Sequence, residues 1–571
     1  MPATDLLIPV RRRRDMEGRF RLPDPCVLAS AHIQADRLPL RQLAGDLQAL
    51  GLGTRVSGSK SAEAAVRVLR DKLVEGDEAY RLTVAPEGVE IRASTAAGAY
   101  YGFQTLRDLL SLHGRRLPAM AIDDRPDFPR RGVYVDCSRG KVPKVATVKA
   151  LIERLAHWKV NEIQLYLENT FRYDKHPAIG VGYSPFKPRD ILAIQAHAKK
   201  HHVRLVGSLA SFGHMEKILM LPEYEDLAEI PVEGVGRMGK KGTICPTDPR
   251  SIRLIEDLYD EFLPLTEAED FNACCDETWD LGKGRSRKKA EKVGVGRLYL
   301  NFVLKLRRLC RKHGKRMNIW GDILLKHPEL IGEVPEDVVL CNWGYNPESP
   351  MLLATHKFAE AGLPLVCCPG TNGWQSHGTR MAMSMGNVAN FAEQARRHGA
   401  EGLLNTDWGD FGHRNTLGVS LHGMAHGAAC TWHGQPVRAG DDTERFTFFA
   451  FGDRRGRLAE SLRTLGAWGD NKLYHALIEP VDLGEPFPQG RRFIEGEELA
   501  VRAAERLDEV RRLKFPAPGE LDEFERIALD EDMRAMAADF EGLWRKRNRN
   551  SRLRDNCADI RRAADELEPG P

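Results

Sequence analysis

The sequence predicts an α/β protein built on a (β/α)8 barrel, with a small α/β domain before it and a helical region after it. Three observations carry that prediction. The chain has 571 residues, and single hydrophobic cores stop growing near roughly 250–300 residues, so more than one domain is required. In the middle of the chain a pattern recurs eight times, a short apolar run followed by an amphipathic helical stretch. Acidic and aromatic side chains collect at the ends of those runs, where a barrel carries its chemistry.

The first domain spans residues 1–125. Residues 79–84 (AYRLTV) and 89–93 (VEIRA) read as a hairpin with Pro86 and Gly88 in its turn. Residues 96–112 have apolar positions at helical spacing. Pro126 and Pro129 then break regular structure and mark a boundary. The barrel spans 126–436. Its apolar runs are 132–137, 162–167, 203–209, 271–275, 316–320, 338–342, 363–368 and 402–406. Strands alternating with helices imply a parallel sheet, and continuous apolar runs imply strands covered on both faces. A doubly wound open sheet is the alternative, but no GxGxxG or GxxxxGK[ST] follows a predicted strand. Residues 437–571 form the third region. Segments 497–513 and 521–547 are rich in Ala, Glu, Arg and Leu at helical spacing, and pack on the barrel or on a partner.

Composition excludes some partners. A net charge of +3 gives no long-range field for nucleic acid or a membrane surface. Arg11–Arg14 read as a solvated, mobile lead-in. The apolar stretch at 6–10 is shorter than a secretory core, and no run reaches the roughly 20 apolar residues that span a bilayer. The eleven cysteines include no CxxC pair and read as buried free thiols of a cytoplasmic protein. No cofactor or metal is expected. The HxxxH pairs His197/His201 and His422/His426 lack the glutamate of an HExxH site, and GKGRS (282–286) lacks a phosphate-loop pattern. The oligomeric state stays open, a homodimer included.

The strand ends supply Asp136, Ser138, Arg139, Glu168, Asn169, Ser211, His214, Asp276, Glu277, Trp279, Trp320, Asp322, Trp343, Tyr345, Asn372, Trp374, Asp407, Trp408 and Asp410. Five of the nine tryptophans occur here, which suits a sugar: ring faces stack on a pyranose and carboxylates accept its hydroxyls. Glycosidic cleavage needs a protonated acid at the leaving oxygen and negative charge near the oxocarbenium-like centre. Asp276-Glu277, after the run FNACC, is the best candidate pair. Past a strand end two such neighbours splay, one toward the anomeric carbon and one toward the leaving group. Plainer roles stand beside these: a salt bridge for Asp136 and Arg139, a core histidine for His214, packing for Trp343, and a cover over the acids for Trp279.

Residues 131 to about 432 resemble family 20 glycoside hydrolases, the β-N-acetylhexosaminidases, and their hexosaminidase-D-like branch above all. The motifs are RGVYVDCSRG (131–140), KVNEIQLYLENTF (159–171), SFGHMEKIL (211–219), DETWDLGKG (276–284), IWGDI (319–323) and NTDWGDFG (405–412). AAGAYYGFQTLRDLL is similar to a helix of that family's N-terminal domain. The resemblance implies substrate-assisted, retaining, exo-acting release of a terminal N-acetylhexosamine. It implies that Asp276 orients the acetamide and Glu277 is the general acid and base. It further implies that Arg131 and Asp410 bind hydroxyls, Glu168 and His214 support the acidic pair, and Trp320, Trp374 and Trp408 wall the acetamide pocket. The sequence departs from the family where Cys274 and Cys275 replace glycines, and where Tyr345 is the candidate for the tyrosine that grips the acetamide. Two other readings remain. One is a glycosidase of different specificity with Glu168 or Asp410 as nucleophile. The other is a catalytically silent sugar-binding protein.

Overall fold

In the computed structural model the described residues are 5–58, 61, 63–230, 242–376, 379–410, 413, 417–433 and 442–466. The N-terminal part is one mixed seven-stranded sheet. Its strands are β1 (Arg12–Arg21), β2 (Cys26–Ser30), β3 (Thr54–Gly58), β4 (Val66–Arg70), β5 (Tyr80–Ala85), β6 (Gly88–Ala93) and β7 (Arg116–Asp124), in the order β1-β7-β5-β6-β4-β2-β3. The expected hairpin is β5–β6, antiparallel with Ala85 opposite Gly88. Buried and more open residues alternate along both strands, the period of a half-buried sheet. Helix Ala96–His113 lies against β5, β6 and β7. Thr95 caps it by accepting from the Gly98 N–H.

The arginine run at 11–14 is no loose lead-in. Arg12, Arg13 and Arg14 pair with β7 in edge strand β1, and the Arg11 guanidinium holds Asp127 at 2.7 Å. Exposed charge on an edge strand hinders further strand pairing.

Eight parallel strands close the barrel: β8 (Arg130–Asp136), β9 (Glu162–Leu167), β10 (Arg204–Leu209), β11 (Asp270–Asn272), β12 (Arg316–Trp320), β13 (Val339–Trp343), β14 (Leu365–Cys368) and β15 (Gly402–Asp407). The seam is the pairing of β15 with β8, from Gly402↔Arg130 to Asp407↔Val135. Gly402 is required there. Its φ is 154°, and a Cβ would lie 1.8 Å from the Arg130 carbonyl oxygen. The strand expected at 271–275 ends early, at Asn272. Cys274, Cys275 and Glu277 all have positive φ, at 60°, 70° and 47°, so the chain turns out of the sheet before the acidic pair.

A polar lock joins sheet and barrel at the N-terminal ends of the strands. Glu78 accepts both terminal nitrogens of Arg131, at 2.7 and 2.9 Å. Lys159 reaches Asp124 at 3.0 Å, and the Trp432 indole donates to the same carboxylate. After the last strand come helix Leu417–His433, which packs on β15 and β8, and then helices Asp442–Phe451 and Arg457–Gly466. The helical stretches expected at 497–513 and 521–547 lie outside the described residues.

Candidate active site

The site forms at the C-terminal ends of the barrel strands. Gly213 brings the loop after β10 against the loop after β11, since a Cβ there would lie 2.2 Å from the Asp276 carbonyl oxygen. That approach places His214 Nε2 3.2 Å from Asp276 Oδ2 and 3.5 Å from Glu277 Oε2. The two carboxylates therefore converge on one imidazole instead of splaying. The left-handed residues on either side of Asp276 are the reason, because an extended chain sends successive side chains to opposite faces. Burial opposes charge on His214, but the Asp276 carboxylate outweighs it and lifts the imidazole to about 10. At neutral pH this makes His214 a cation between the two acids, a role beyond that of a plain core histidine.

Arg139 borders this group, its Nη2 3.5 Å from His214 Nδ1. It holds Asp136 at 2.9 Å, lies 3.4 Å from Asp410 and 3.6 Å from Glu168, and packs over the Tyr166 and Trp408 rings. Burial pushes the Asp410 carboxyl up to about 6 despite the opposing Arg139 charge. Glu168 is held by Lys217 at 2.9 Å and by the Tyr166 hydroxyl at 3.1 Å. A carboxylate tied down this way is a poor nucleophile.

Aromatic rings cluster beside these groups. Tyr134, Tyr166, Trp320, Trp374 and Trp408 form one buried cluster, with Trp343 and Tyr345 packed against it. The Trp408 indole donates to the Tyr345 hydroxyl at 2.7 Å. Tyr345 stacks on Trp343 and meets Trp374 edge-on. Burial, with Asp410 and Asp276 nearby, keeps the Tyr345 phenol protonated as a donor.

The structure thus brings together Asp276, Glu277, Glu168, His214, Trp320, Tyr345, Trp374, Trp408 and Asp410. It does not bring Arg131. That residue is second in β8, at the opposite end of the barrel from Asp136, and about 16 Å along a strand separates the two positions. Its guanidinium is fully engaged by Glu78 and the carbonyls of Lys159 and Phe128. Arg139, read from sequence as a salt-bridge partner, is the arginine at the mouth. Sequence reasoning also gave no role to Lys217 or Asp322. The strand-end rule separates Arg131 from Arg139 by itself: one opens the run, the other follows it.

Two groups of described residues bring three possible ligand atoms within 4.8 Å of one another: Glu153, His197 and His201, and Glu168, His214 and Glu216. The first belongs to the outer barrel helices, away from the acids. The second contains His214, already paired. His426, of the other HxxxH pair, is taken by Asp442 at 2.8 Å. In GKGRS, the N–H groups of Gly284 and Ser286 donate to Glu229 Oε1, so the chain's own carboxylate fills that loop.

Sequence comparison agrees with this geometry. The profile for "Glycosyl hydrolase family 20, domain 2" matches residues 8–125, and that for "Glycosyl hydrolase family 20, catalytic domain" matches residues 128–398. The chain belongs to glycosyl hydrolase family 20. Among curated relatives, a beta-N-acetylhexosaminidase of Cellulomonas fimi is 37% identical over 218 residues, 34% of this chain and 44% of that protein. A beta-hexosaminidase of Porphyromonas gingivalis is 27% identical over 283 residues, 43% of this chain and 36% of that one. Hexosaminidase D of Homo sapiens is 24% identical over 249 residues, 42% and 50% of the two chains. The chain thus spans half or less of the length of these relatives. Among solved structures, the beta-N-acetylhexosaminidase of Bacteroides fragilis shares the fold with a TM-score of 0.63 at 19% identity, over 78% of this chain and 94% of that one.

Proposed function

We propose that this family 20 chain is an exo-acting, retaining β-N-acetylhexosaminidase that releases terminal GlcNAc or GalNAc. One observation carries the reading: Asp276 and Glu277 share the His214 imidazole beside a buried cluster of aromatic rings. The names of the relatives support the class of sugar.

In the proposed reaction the substrate's acetamido oxygen attacks the anomeric carbon as the glycosidic C–O bond breaks. Asp276 orients the acetamide N–H and offsets the positive charge of the cyclic oxazolinium. Glu277 gives its proton to the leaving oxygen. Water then adds to the anomeric carbon, loses a proton to Glu277, and the acetamide re-forms. Two inversions retain configuration. Trp320, Trp374, Trp408 and Tyr345 enclose the acetamide. Asp410 and Arg139 take the outer hydroxyls and close the far end of the pocket, which makes the enzyme exo-acting.

We also propose that the protein works in a reducing, cytoplasmic setting. The ten cysteines among the described residues are all buried. No described helix is long and apolar enough to cross a membrane.

Hydrolysis of nitrophenyl β-N-acetylglucosaminide against the unacetylated glucoside tests the activity. Turnover of the acetylated sugar alone supports this reading. Turnover of the plain glucoside supports a conventional nucleophile, and no turnover of either supports a silent binder. A thiazoline mimic of the cyclised intermediate should inhibit strongly, because it resembles a high-energy species.

A further inference from the structure

At the end of the barrel opposite the acids, two helices bring three metal-ligating side chains together. His197 lies in the last turn of helix Pro188–Lys200, and His201 is the residue that closes it. Four positions apart, the two imidazoles share one face of the helix. That spacing supplies no carboxylate, but the fold adds one. Helix Val145–His157 packs against Pro188–Lys200 and carries Glu153. One ligand atom from each of Glu153, His197 and His201 lies within 4.8 Å of the other two. β10 begins at Arg204, three residues after His201, so the group sits at the N-terminal ends of the strands.

Three details set this group apart from an ordinary surface cluster. His197 Nε2 is 3.1 Å from Glu153 Oε1, yet the two make no hydrogen bond, and this buried nitrogen has no other partner among the described residues. Buried polar atoms are rarely left so. The His197 and His201 rings lie 4.7 Å apart, centre to centre, close enough to face one ion. His201 is buried, and its Nδ1 meets the Tyr100 hydroxyl at 3.1 Å. That contact orients the ring and leaves Nε2 for a ligand. Metal-bound histidines are held in this manner, through the ring nitrogen that does not touch the ion. A helix C-terminus also favours a cation.

We propose that Glu153, His197 and His201 bind one zinc ion. Two imidazoles and a carboxylate suit zinc, with water in the fourth position, whereas magnesium and calcium take oxygen ligands. Zinc bonds of about 2.0–2.1 Å set tetrahedral ligand atoms about 3.3 Å apart, and His197 and Glu153 already stand near that spacing. Tyr100 belongs to helix Ala96–His113 of the N-terminal domain. The ion therefore joins two barrel helices directly and reaches the N-terminal domain through the Tyr100 hydroxyl. It acts on stability, since the catalytic acids stand at the other end of the barrel.

The test titrates zinc chloride into the full chain after EDTA treatment and removal of the chelator. Calorimetry should show one zinc per chain lost on substitution at this site. Zinc at about a hundredfold its dissociation constant should raise the melting temperature by several degrees, as for an ion that binds only the folded state. Glu153→Gln and His197→Gln should each weaken binding at least about tenfold and remove most of that rise. Without zinc both variants should melt within about 2 °C of wild type, because each side chain lies on the open side of the group. Tyr100→Phe, which removes only the hydroxyl behind His201, should weaken binding by about tenfold. A wild-type protein whose melting temperature ignores zinc overturns the site. So does a zinc response that both glutamine variants keep in full, since the ion would then be held elsewhere.

Discussion

The backbone N–H of Glu277 donates to Asp322 Oδ2 at 3.2 Å, so a second buried carboxyl anchors the peptide of the general acid. Burial, reinforced by the nearby Asp276 charge, pushes Asp322 up to about 7. Its folded pKa lies above its unfolded value. The stability it contributes is therefore complete below about pH 4 and is lost as pH rises toward 7. Ionised Asp322 also places a further negative charge beside Asp276. Asp322→Asn keeps an acceptor for the Glu277 N–H without titrating. It should retain activity within a few-fold, flatten the descent of kcat/KM near pH 7, and gain more thermal stability over wild type at pH 8 than at pH 5. Asp322→Ala, with no acceptor, should lose about ten- to a hundredfold in kcat, the scale of a misplaced reacting group. An identical pH–rate profile in Asp322→Asn would remove Asp322 from the titrating machinery.

Glu277→Gln removes the transferable proton and keeps the shape. Turnover of chitobiose should fall roughly 10²–10⁴-fold, the usual contribution of general acid–base catalysis. A dinitrophenyl glycoside, which needs no protonation to leave, should be cleaved in its first step with a much smaller loss. Circular dichroism and the melting temperature should match wild type, since Glu277 is partly open and supports no packing. Equal losses on both substrates would assign Glu277 another role.

Much of this was legible in the sequence because it rests on local pattern. The runs at 162–167 and 316–320 are β9 and β12 residue for residue. Of the ten site residues expected from sequence, nine sit together at the C-terminal strand ends, and Arg131 does not. Two kinds of fact were hidden. The backbone turn at 274–277 has positive φ at cysteines, residues that give no turn signal, so convergence of Asp276 and Glu277 on His214 was not foreseeable. Arg131 finds Glu78 53 positions away in sequence, and Arg139, besides its local partner Asp136, reaches Asp410 271 positions on. No short window reports such pairings. The motif RGVYVDCSRG contains both arginines, and only their places on β8 tell them apart.

The two arginines make a direct comparison. Arg131→Met should cost about 3–5 kcal/mol of stability, the usual result of stranding a buried ionic partner, here Glu78, and should spare KM in the folded fraction. Burial raises the Glu78 carboxyl, but Arg131 more than offsets this and holds it below the ordinary range. Stability from that pair is thus present above the unfolded pKa and lost as pH falls through the folded one, a loss the variant lacks. Arg139→Met should raise KM for N-acetylglucosaminides tenfold or more, since charge-assisted hydrogen bonds are worth about 1.5–3 kcal/mol each. Urea titration and steady-state kinetics on both variants decide the matter. A KM effect confined to Arg131→Met would return the sugar contact to Arg131.

His214 should show itself in alkali. Its folded pKa of about 10 lies above the unfolded value, so its stabilising contribution is complete below about pH 6.5 and disappears as pH rises through 10. The wild-type melting temperature should drop between pH 8 and 10.5 by more than that of His214→Asn. At pH 7 the variant should turn over about ten- to a hundredfold more slowly, because Asp276 loses the cation that positions it. Parallel melting curves across that range would mean that His214 is neutral in the folded protein.

Cys274 and Cys275 hold left-handed backbone that glycine adopts freely, at a cost on the order of 1–2 kcal/mol per residue. Contacts retain them there. The Cys274 thiol lies 3.5 Å from the Ser208 hydroxyl and 3.6 Å from the Tyr134 hydroxyl, and the Cys275 thiol points to the Ala273 carbonyl. Cys275→Val puts a β-branched side chain where sterics exclude it. It should destabilise the protein by about 1–3 kcal/mol. It should also cut turnover, because relaxing φ at 275 swings Asp276 off His214. Cys275→Gly relieves the same strain at the expense of a small void, so its stability should stay within about 1 kcal/mol of wild type, with the Asp276–His214 contact kept. Denaturant midpoints and kcat for the pair give the answer. If valine is tolerated in both measurements, the acidic pair is not held by this turn, and the convergence of Asp276 and Glu277 needs another cause.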